Sequence, residues 1–166
     1  CCFNDKSFLK IVRALANYGS FIKYEHSYEG VNSRLSEIQA SILRVKLKHL
    51  DAHIEHRRQI AKIYMKNIVN SKVRLPPIDS GSRHVYHLFV LETDRRESLQ
   101  KYLLVNGVET LIHYPRSISS HKAFKKYNFP VLSRATQLEN RVLSLPIGPH
   151  VTRTDAETIS DLINNW

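Results

Sequence analysis

A helical repeat running through the first half of the chain limits the fold more than any other feature. From Leu35 onward, apolar residues fall at Leu35, Ile38, Ile42, Val45, Leu50 and Ile54, the i, i+3/i+4 recurrence of an amphipathic helix. The signal continues through EHRRQIAKIYMKNIV to Val69. The pattern predicts a helical region over 33–69, either one long helix or two stacked helices with a bend near Asp51. Pro76 and Pro77 close it off.

The elements around this region are short. Asn4 or Asp5 can cap a helix over 6–18, with Gly19 placed to follow its C-terminus. Residues 19–31 hold two glycines, three aromatics and His26, and read as an irregular loop. The stretch HVYHLFVLET (84–93) reads as a strand covered on both faces. Asp94 with Glu97 resembles a capping box, opening a helix that ends at Asn106–Gly107. VETLIHYP (108–115) reads as a second strand stopped by Pro115, and the two strands are expected to pair. A basic, polar loop over 116–128 precedes a helix at 131–141. LSLPIGPH (143–150) reads as an extended turn, and Thr152 with Asp155 opens a last helix reaching the end. The sum is one helix-rich α+β domain on a small, mainly antiparallel sheet.

Composition narrows the class. The 166 residues suffice for one domain with a core, and no apolar run approaches the ~20 residues that cross a bilayer. No signal peptide is visible, so a cytoplasmic protein with no membrane partner is expected. Cys1 and Cys2 are adjacent and suit neither a disulfide framework nor a zinc site. A net charge of +10 implies acidic partners: nucleic acid, anionic lipid or phosphorylated small molecules. Lys and Arg are nonetheless spread along every helix, with no block of five, which reads as a solvated surface and not as a nucleic-acid stripe. The opening CCF reads as the end of a strand whose partners are absent, so the chain is expected to be a fragment.

No Gly-rich phosphate loop, HExxH or GxSxG is present. His49, His53 and His56 have helical metal-ligand spacing but no further ligand, and read as an exposed polar face. Three places remain. Asn32-Ser33-Arg34 stands where the long helix is expected to begin, as an anion site on its free N–H groups or as a plain N-cap. His113-Tyr114 ends the second predicted strand, as a functional pair or as a core pair finishing an edge. His84, Tyr86 and His87 lie on the first strand, where burial is the simpler role.

Taken together, NYGSFIKYEHSYEGVNSRLSEIQASILRVKLKHLD, EHRRQIAKIY, HVYHLFVLETDRRESLQKYLLVNGVETLIHYP and LSLPIGPHVT resemble the second half of the DegT/DnrJ/EryC1/StrS sugar aminotransferases. The resemblance covers essentially the whole chain. It implies the C-terminal part of a fold-type-I enzyme that uses pyridoxal 5'-phosphate to aminate a nucleotide-linked keto sugar for cell-surface polysaccharides such as lipopolysaccharide. The stretch from NYGS to GVNSRL is most similar to members acting on dTDP-linked keto-deoxy sugars. The amino donor implied is glutamate, and the assembly a homodimer with shared active sites. Residues 1–30 would be the remnant joining a cofactor-binding domain, and 31–166 the small C-terminal domain.

By the same resemblance, Asn32 binds the cofactor phosphate of the neighbouring subunit, and Arg34, His113 and Tyr114 line the substrate pocket. The family's Schiff-base lysine lies upstream of Cys1, so no catalytic residue is assigned within the chain, and the fragment is expected to be inactive alone. After HYP the family reaches a histidine in fewer residues than separate Pro115 from His121; RSISSH resembles a small insertion, which leaves His121 without a substrate role. The competing reading is a stand-alone basic module that binds nucleic acid or a protein. Its support is the net charge, and its weakness is the lack of basic clustering and of aromatics placed to stack bases.

Overall fold

A computed structural model describes residues 4–77, 81–130 and 132–166. The chain forms two compact units, Cys1–His49 and Leu50–Trp166.

The first unit begins with helix α1, Ser7–Leu15. Asp5 Oδ1 accepts from the Ser7 N–H at 2.8 Å. The helix stops short of the expected residue 18 because Tyr18 (φ 59°) and Gly19 (φ 73°) turn the backbone into the left-handed region. At Gly19 a Cβ would lie 1.7 Å from the Tyr28 carbonyl oxygen, so no other residue fits. The expected irregular loop contains a small antiparallel ribbon, β1 (Ser20–Ile22) with β2 (Glu25–His26). His26 Nδ1 fastens it, 3.0 Å from Ser20 Oγ and 2.8 Å from the Tyr18 carbonyl oxygen.

The predicted helical region 33–69 resolves into two helices, α2 (Glu37–Lys48) and α3 (Leu50–Asn67), interrupted at His49. The start of α2 corrects the sequence reading. Its N-cap is Ser36, whose hydroxyl accepts from the Gln39 N–H at 3.2 Å while the Gln39 side chain accepts from the Ser36 N–H. This capping box occupies the Gln39 and Ser36 N–H groups, and Asn32-Ser33-Arg34 lies before the helix instead of opening it. Helix α2 buries none of its residues; Ile38 is 75% exposed, and the whole apolar stripe is open.

The second unit is organised by a two-stranded antiparallel pair, β3 (Phe89–Glu92) and β4 (Val142–Leu145). The register sets Phe89 opposite Leu145 and Leu91 opposite Leu143. These four side chains share one face and are buried among Ile60, Tyr64 and Ile68 of the α3 region, Leu99 and Leu103 of α4 (Arg96–Val105), and Ile159 and Ile163 of α6 (Arg153–Asn165). Single bridges extend the pair on both sides, Arg74 with Glu92 and Leu111 with Ser144.

Several sequence expectations change here. The predicted strand 84–93 is strand only from Phe89, because Tyr86 adopts a positive φ of 46° and its N–H donates to His84 Nδ1 at 2.9 Å, a local turn. Residues 108–115 form no strand; only Leu111 pairs, and it pairs with Ser144. The partner of β3 is instead the run VLSL, which the prolines downstream make resemble a turn. A short apolar run of this kind is a fully buried strand that periodicity cannot reveal, and all four of its residues are buried. No capping box opens α4: Thr93 Oγ1 accepts from the Arg95 N–H at 3.2 Å, and Asp94 pairs with Arg141 at 3.1 Å. The predicted helix at 131–141 shortens to α5, Ser133–Leu138, and Val131 lies outside the described residues. The capping box of α6, Thr152 with Asp155, is present as read.

Leu143 is fully buried at the centre of this core. Leu143→Ala should therefore destabilise the second unit by about 3 kcal/mol, measured as a drop in the urea midpoint at unchanged slope.

Candidate functional site

In the first unit, the turn that ends α1 positions Asn32 and Arg34. Asn32 forms an isolated backbone bridge with Asn17, and the Ser33 N–H donates to the Ala16 carbonyl at 2.9 Å. The segment is thus sewn to the end of α1 by main-chain bonds, which leaves its side chains outside. The Asn32 carboxamide is exposed and makes no hydrogen bond among the described residues. Arg34 donates to Asn17 Oδ1, and its guanidinium carbon lies 5.9 Å from the centre of the Tyr18 ring. The anion-binding potential here comes from side chains and not from a helix N-terminus.

In the second unit, His113 and Tyr114 follow the Leu111 bridge. His113 Nδ1 lies 2.9 Å from Ser144 Oγ. Ser144 is only 4% exposed, and alternation along β4 turns its side chain to the face opposite Leu143 and Leu145. A buried hydroxyl requires a partner, and His113 supplies it. In the tautomer in which Ser144 donates to Nδ1, Nε2–H is a donor for a ligand oxygen, and in the other tautomer Nε2 is an acceptor. His113 lines a cleft of about 680 Å³ together with Ser144, His87, His150, Asp155 and Thr158. Tyr114 is 70% exposed and stands edge-on to the His113 ring, with centroids 5.4 Å apart.

The ionisable groups along this cleft have distinct environments. Asp155 Oδ2 accepts from the Thr152 N–H at 2.8 Å and from the Thr152 hydroxyl at 2.7 Å. These bonds hold its carboxyl below the usual range, with His150 adding a smaller effect. Behind the cleft, the Tyr64 hydroxyl donates to the Pro146 carbonyl at 2.8 Å, and burial pushes its pKa well up, reinforced by the charge of Asp155.

The structure sorts the sequence candidates. Asn32 and Arg34 belong to the first unit, His113 and Tyr114 to the second. His84 and Tyr86 meet within a turn, rings tilted at 48° with centroids 4.3 Å apart, while His87 lies at the cleft. His56 is bound to the Val151 carbonyl at 2.8 Å, and no grouping of three or more possible metal ligands occurs among the described residues. Sequence reasoning missed Ser144 and His150 as cleft residues. Both stand in LSLPIGPH, and only the position of β4 gives them meaning.

Comparison with known proteins shows the family of the chain. The sequence model of the DegT/DnrJ/EryC1/StrS aminotransferase family matches residues 1–164. The chain belongs to this family. It is 39% identical, over 98% of its length and 45% of the relative, to a dTDP-3-amino-3,6-dideoxy-alpha-D-galactopyranose transaminase of Aneurinibacillus thermoaerophilus. It is 38% identical, over 98% of its length and 44% of the relative, to a dTDP-3-amino-3,4,6-trideoxy-alpha-D-glucose transaminase of Streptomyces venezuelae. The crystal structure of S. venezuelae DesV superposes with a TM-score of 0.91 at 38% identity, across 98% of this chain and 44% of that one. The chain thus spans somewhat less than half the length of the relatives it matches, and the α+β architecture is that of their aminotransferase fold. No helix among the described residues is long and apolar enough to cross a membrane.

Two measurements probe the cleft. Ser144→Ala should remove the hydrogen bond at His113 Nδ1, seen as a change in the imidazole ¹⁵N shifts, at a stability cost of about 1 kcal/mol. Acid should destabilise the second unit in a defined window. Asp155 and Glu139 have folded-state pKa values below their unfolded values of 3.8 and 4.5, and Glu139 lies at about 2. Their stabilising effect is complete above the unfolded values and is lost as pH falls through the folded ones. Thermal midpoints should therefore be level at pH 5 to 7 and decline from about pH 4.5 to 2.

Proposed function

We propose that this chain is the C-terminal half of a pyridoxal-phosphate-dependent aminotransferase acting on a dTDP-linked keto-deoxy sugar. Residues 1–30 would join it to the cofactor-binding domain, and 31–166 would form the small domain. The observation that carries this reading is His113, held by the buried Ser144 at the edge of a cleft in a chain of this family. The family resemblance and the dTDP-sugar transaminases among the relatives support the substrate class.

The residues fit the cofactor's phosphate. An exposed carboxamide with both N–H donors free, beside a guanidinium steadied by Asn17 and Tyr18, offers the neutral and charged donors that a phosphate dianion takes. When bound, pyridoxal phosphate supplies the electron-withdrawing ring on which transamination depends. In this chain Asn32 would donate to its phosphate in the neighbouring subunit. Arg34 would offset the charge of the sugar nucleotide's diphosphate, fixing the substrate's orientation. His113, through Nε2, and the Tyr114 hydroxyl would hydrogen-bond the sugar ring and hold the reacting carbon in place. The lysine that moves the proton belongs to the cofactor domain; glutamate is the amino donor, and the setting is the cytoplasm and cell-surface polysaccharide synthesis. The net charge of +10 suits a protein whose cofactor and substrate both carry phosphate.

Subunit complementation in the intact aminotransferase tests this reading. One inactive parent lacks the Schiff-base lysine, and the other carries Asn32→Ala with His113→Ala. If these residues serve the partner's site, one site of a mixed dimer collects both defects and the other none. Random pairing makes half the dimers mixed, each with one good site of two, so about a quarter of wild-type activity should return. Mixed dimers that form but stay inactive would show that Asn32 and His113 act within their own subunit.

A further inference from the structure

The segment carrying His113 and Tyr114 is an arch held at both ends. Its first foot is β4: the Ser144 N–H donates to the Leu111 carbonyl at 2.8 Å, the Leu111 N–H returns to Ser144 at 3.3 Å, and His113 meets Ser144 Oγ. Its second foot is a short 3-10 turn at Ile118–Ser120. There one carboxylate oxygen, Glu139 Oε1, accepts from the Ser117 N–H at 2.8 Å and from the Ser120 hydroxyl. The Ser117 hydroxyl completes the knot, 3.1 Å from Ser119 Oγ and 3.0 Å from Ser120 Oγ. Between the feet, Tyr114 and Arg116 remain exposed.

Glu139 is itself tied to its neighbours. It directly follows α5, and its carbonyl accepts from the Arg96 guanidinium at the start of α4. Two residues on, the Arg141 carbonyl accepts from the Thr93 N–H at 3.0 Å, and the Arg141 side chain pairs with Asp94. The corner leading into β4 is thus tied to the helix and strand that form the core, while the arch has no secondary structure of its own.

We propose that Glu139 is a positioning residue whose carboxylate clamps the Ser117–Ser120 turn and thereby fixes the placement of His113 and Tyr114. The importance of that placement for substrate rests on the function proposed above; the clamp itself does not. A carboxylate suits the task because two donors converge on one oxygen, and charge-assisted bonds of this kind are about twice as strong as neutral ones. The bonds from Ser117 and Ser120, with Arg116 nearby, hold its pKa at about 2, so it stays ionised at all ordinary pH. The other charged groups around this corner are Arg96, Arg141 and Asp94. The serine-rich RSISS stretch, otherwise an unexplained insertion, becomes the set of donors that one acid organises.

Amide exchange and NMR of this chain, as wild type, Glu139→Ala and Glu139→Gln, test the clamp. In Glu139→Ala the Ser117 amide should exchange about tenfold faster or more, as expected when a local structure opens independently of the core. The His113 and Tyr114 ring signals should shift or broaden, while the Leu91 and Leu143 amides keep their protection. Glu139→Gln, which retains an acceptor oxygen, should recover much of the protection and lose the acid opening that the wild-type turn shows as pH approaches 2. Wild-type behaviour of Ser117, His113 and Tyr114 in Glu139→Ala would overturn the proposal. So would equal loosening of Leu143, which would make Glu139 a general stabiliser. Titration with dTDP-glucose separates the two readings. Glu139→Ala and His113→Ala should both weaken binding; if His113→Ala does not, the substrate role of the arch fails while the exchange data still decide the clamp.

Discussion

The ladder between Phe89–Glu92 and Val142–Leu145 is the interaction on which the second unit depends. Its register brings Phe89, Leu91, Leu143 and Leu145 onto one face, where α3, α4 and α6 cover them. A two-stranded pair is marginal by itself, so the helices hold the strands as much as the strands align the helices. Remove that pairing and α4 and α6 lose the surface against which their apolar residues are buried.

The opposite face of the same ladder makes the candidate site. Ser144 faces away from the core between two apolar neighbours, and its buried hydroxyl meets His113. The backbone of Ser144 pairs with Leu111, so one residue sets both the path of the following segment and the orientation of its imidazole. The site is anchored to a fully buried strand of the unit, which suits a role in holding a substrate in one pose. Family membership gives that arrangement a chemical context, and the arch and its Glu139 clamp show how a segment without secondary structure can be held to it.

The first unit works differently. Main-chain bonds of Val31 and Ser33 to the end of α1 hold its candidate stretch, and Gly19 permits the close passage of the Tyr28 carbonyl. Helix α2 then begins on its own capping box, so the donors offered to an anion are the Asn32 amide and the Arg34 guanidinium. Arg34 spends one of its five N–H donors on Asn17, while the Asn32 carboxamide spends none among the described residues. That difference matches the separate tasks proposed for them.

Local chemistry was enough to read the helices. The apolar repeat over 33–69, the Thr152–Asp155 cap and the Asn106–Gly107 stop each depend on residues within a turn or two, and each appears in the fold. The capping box at Ser36 and Gln39 was equally legible, but the polar trio before it resembles a helix start just as well. The family, too, was readable from ordered motifs. Strand pairing was not local. VLSL is a strand because β3 lies on one side of it and Leu111 on the other, contacts to residues far away in the chain that a four-residue apolar run cannot signal. HVYHL is not a strand because Tyr86 turns over His84. The partners of the site residues followed the pairing: Ser144 meets His113, and Glu139 meets Ser117 and Ser120, only once β4 is in place. Sequence alone determined which segments are helical and to which family the chain belongs; tertiary structure decided what holds the candidate side chains in place, because hydrogen bonds between distant residues depend on the register of the sheet.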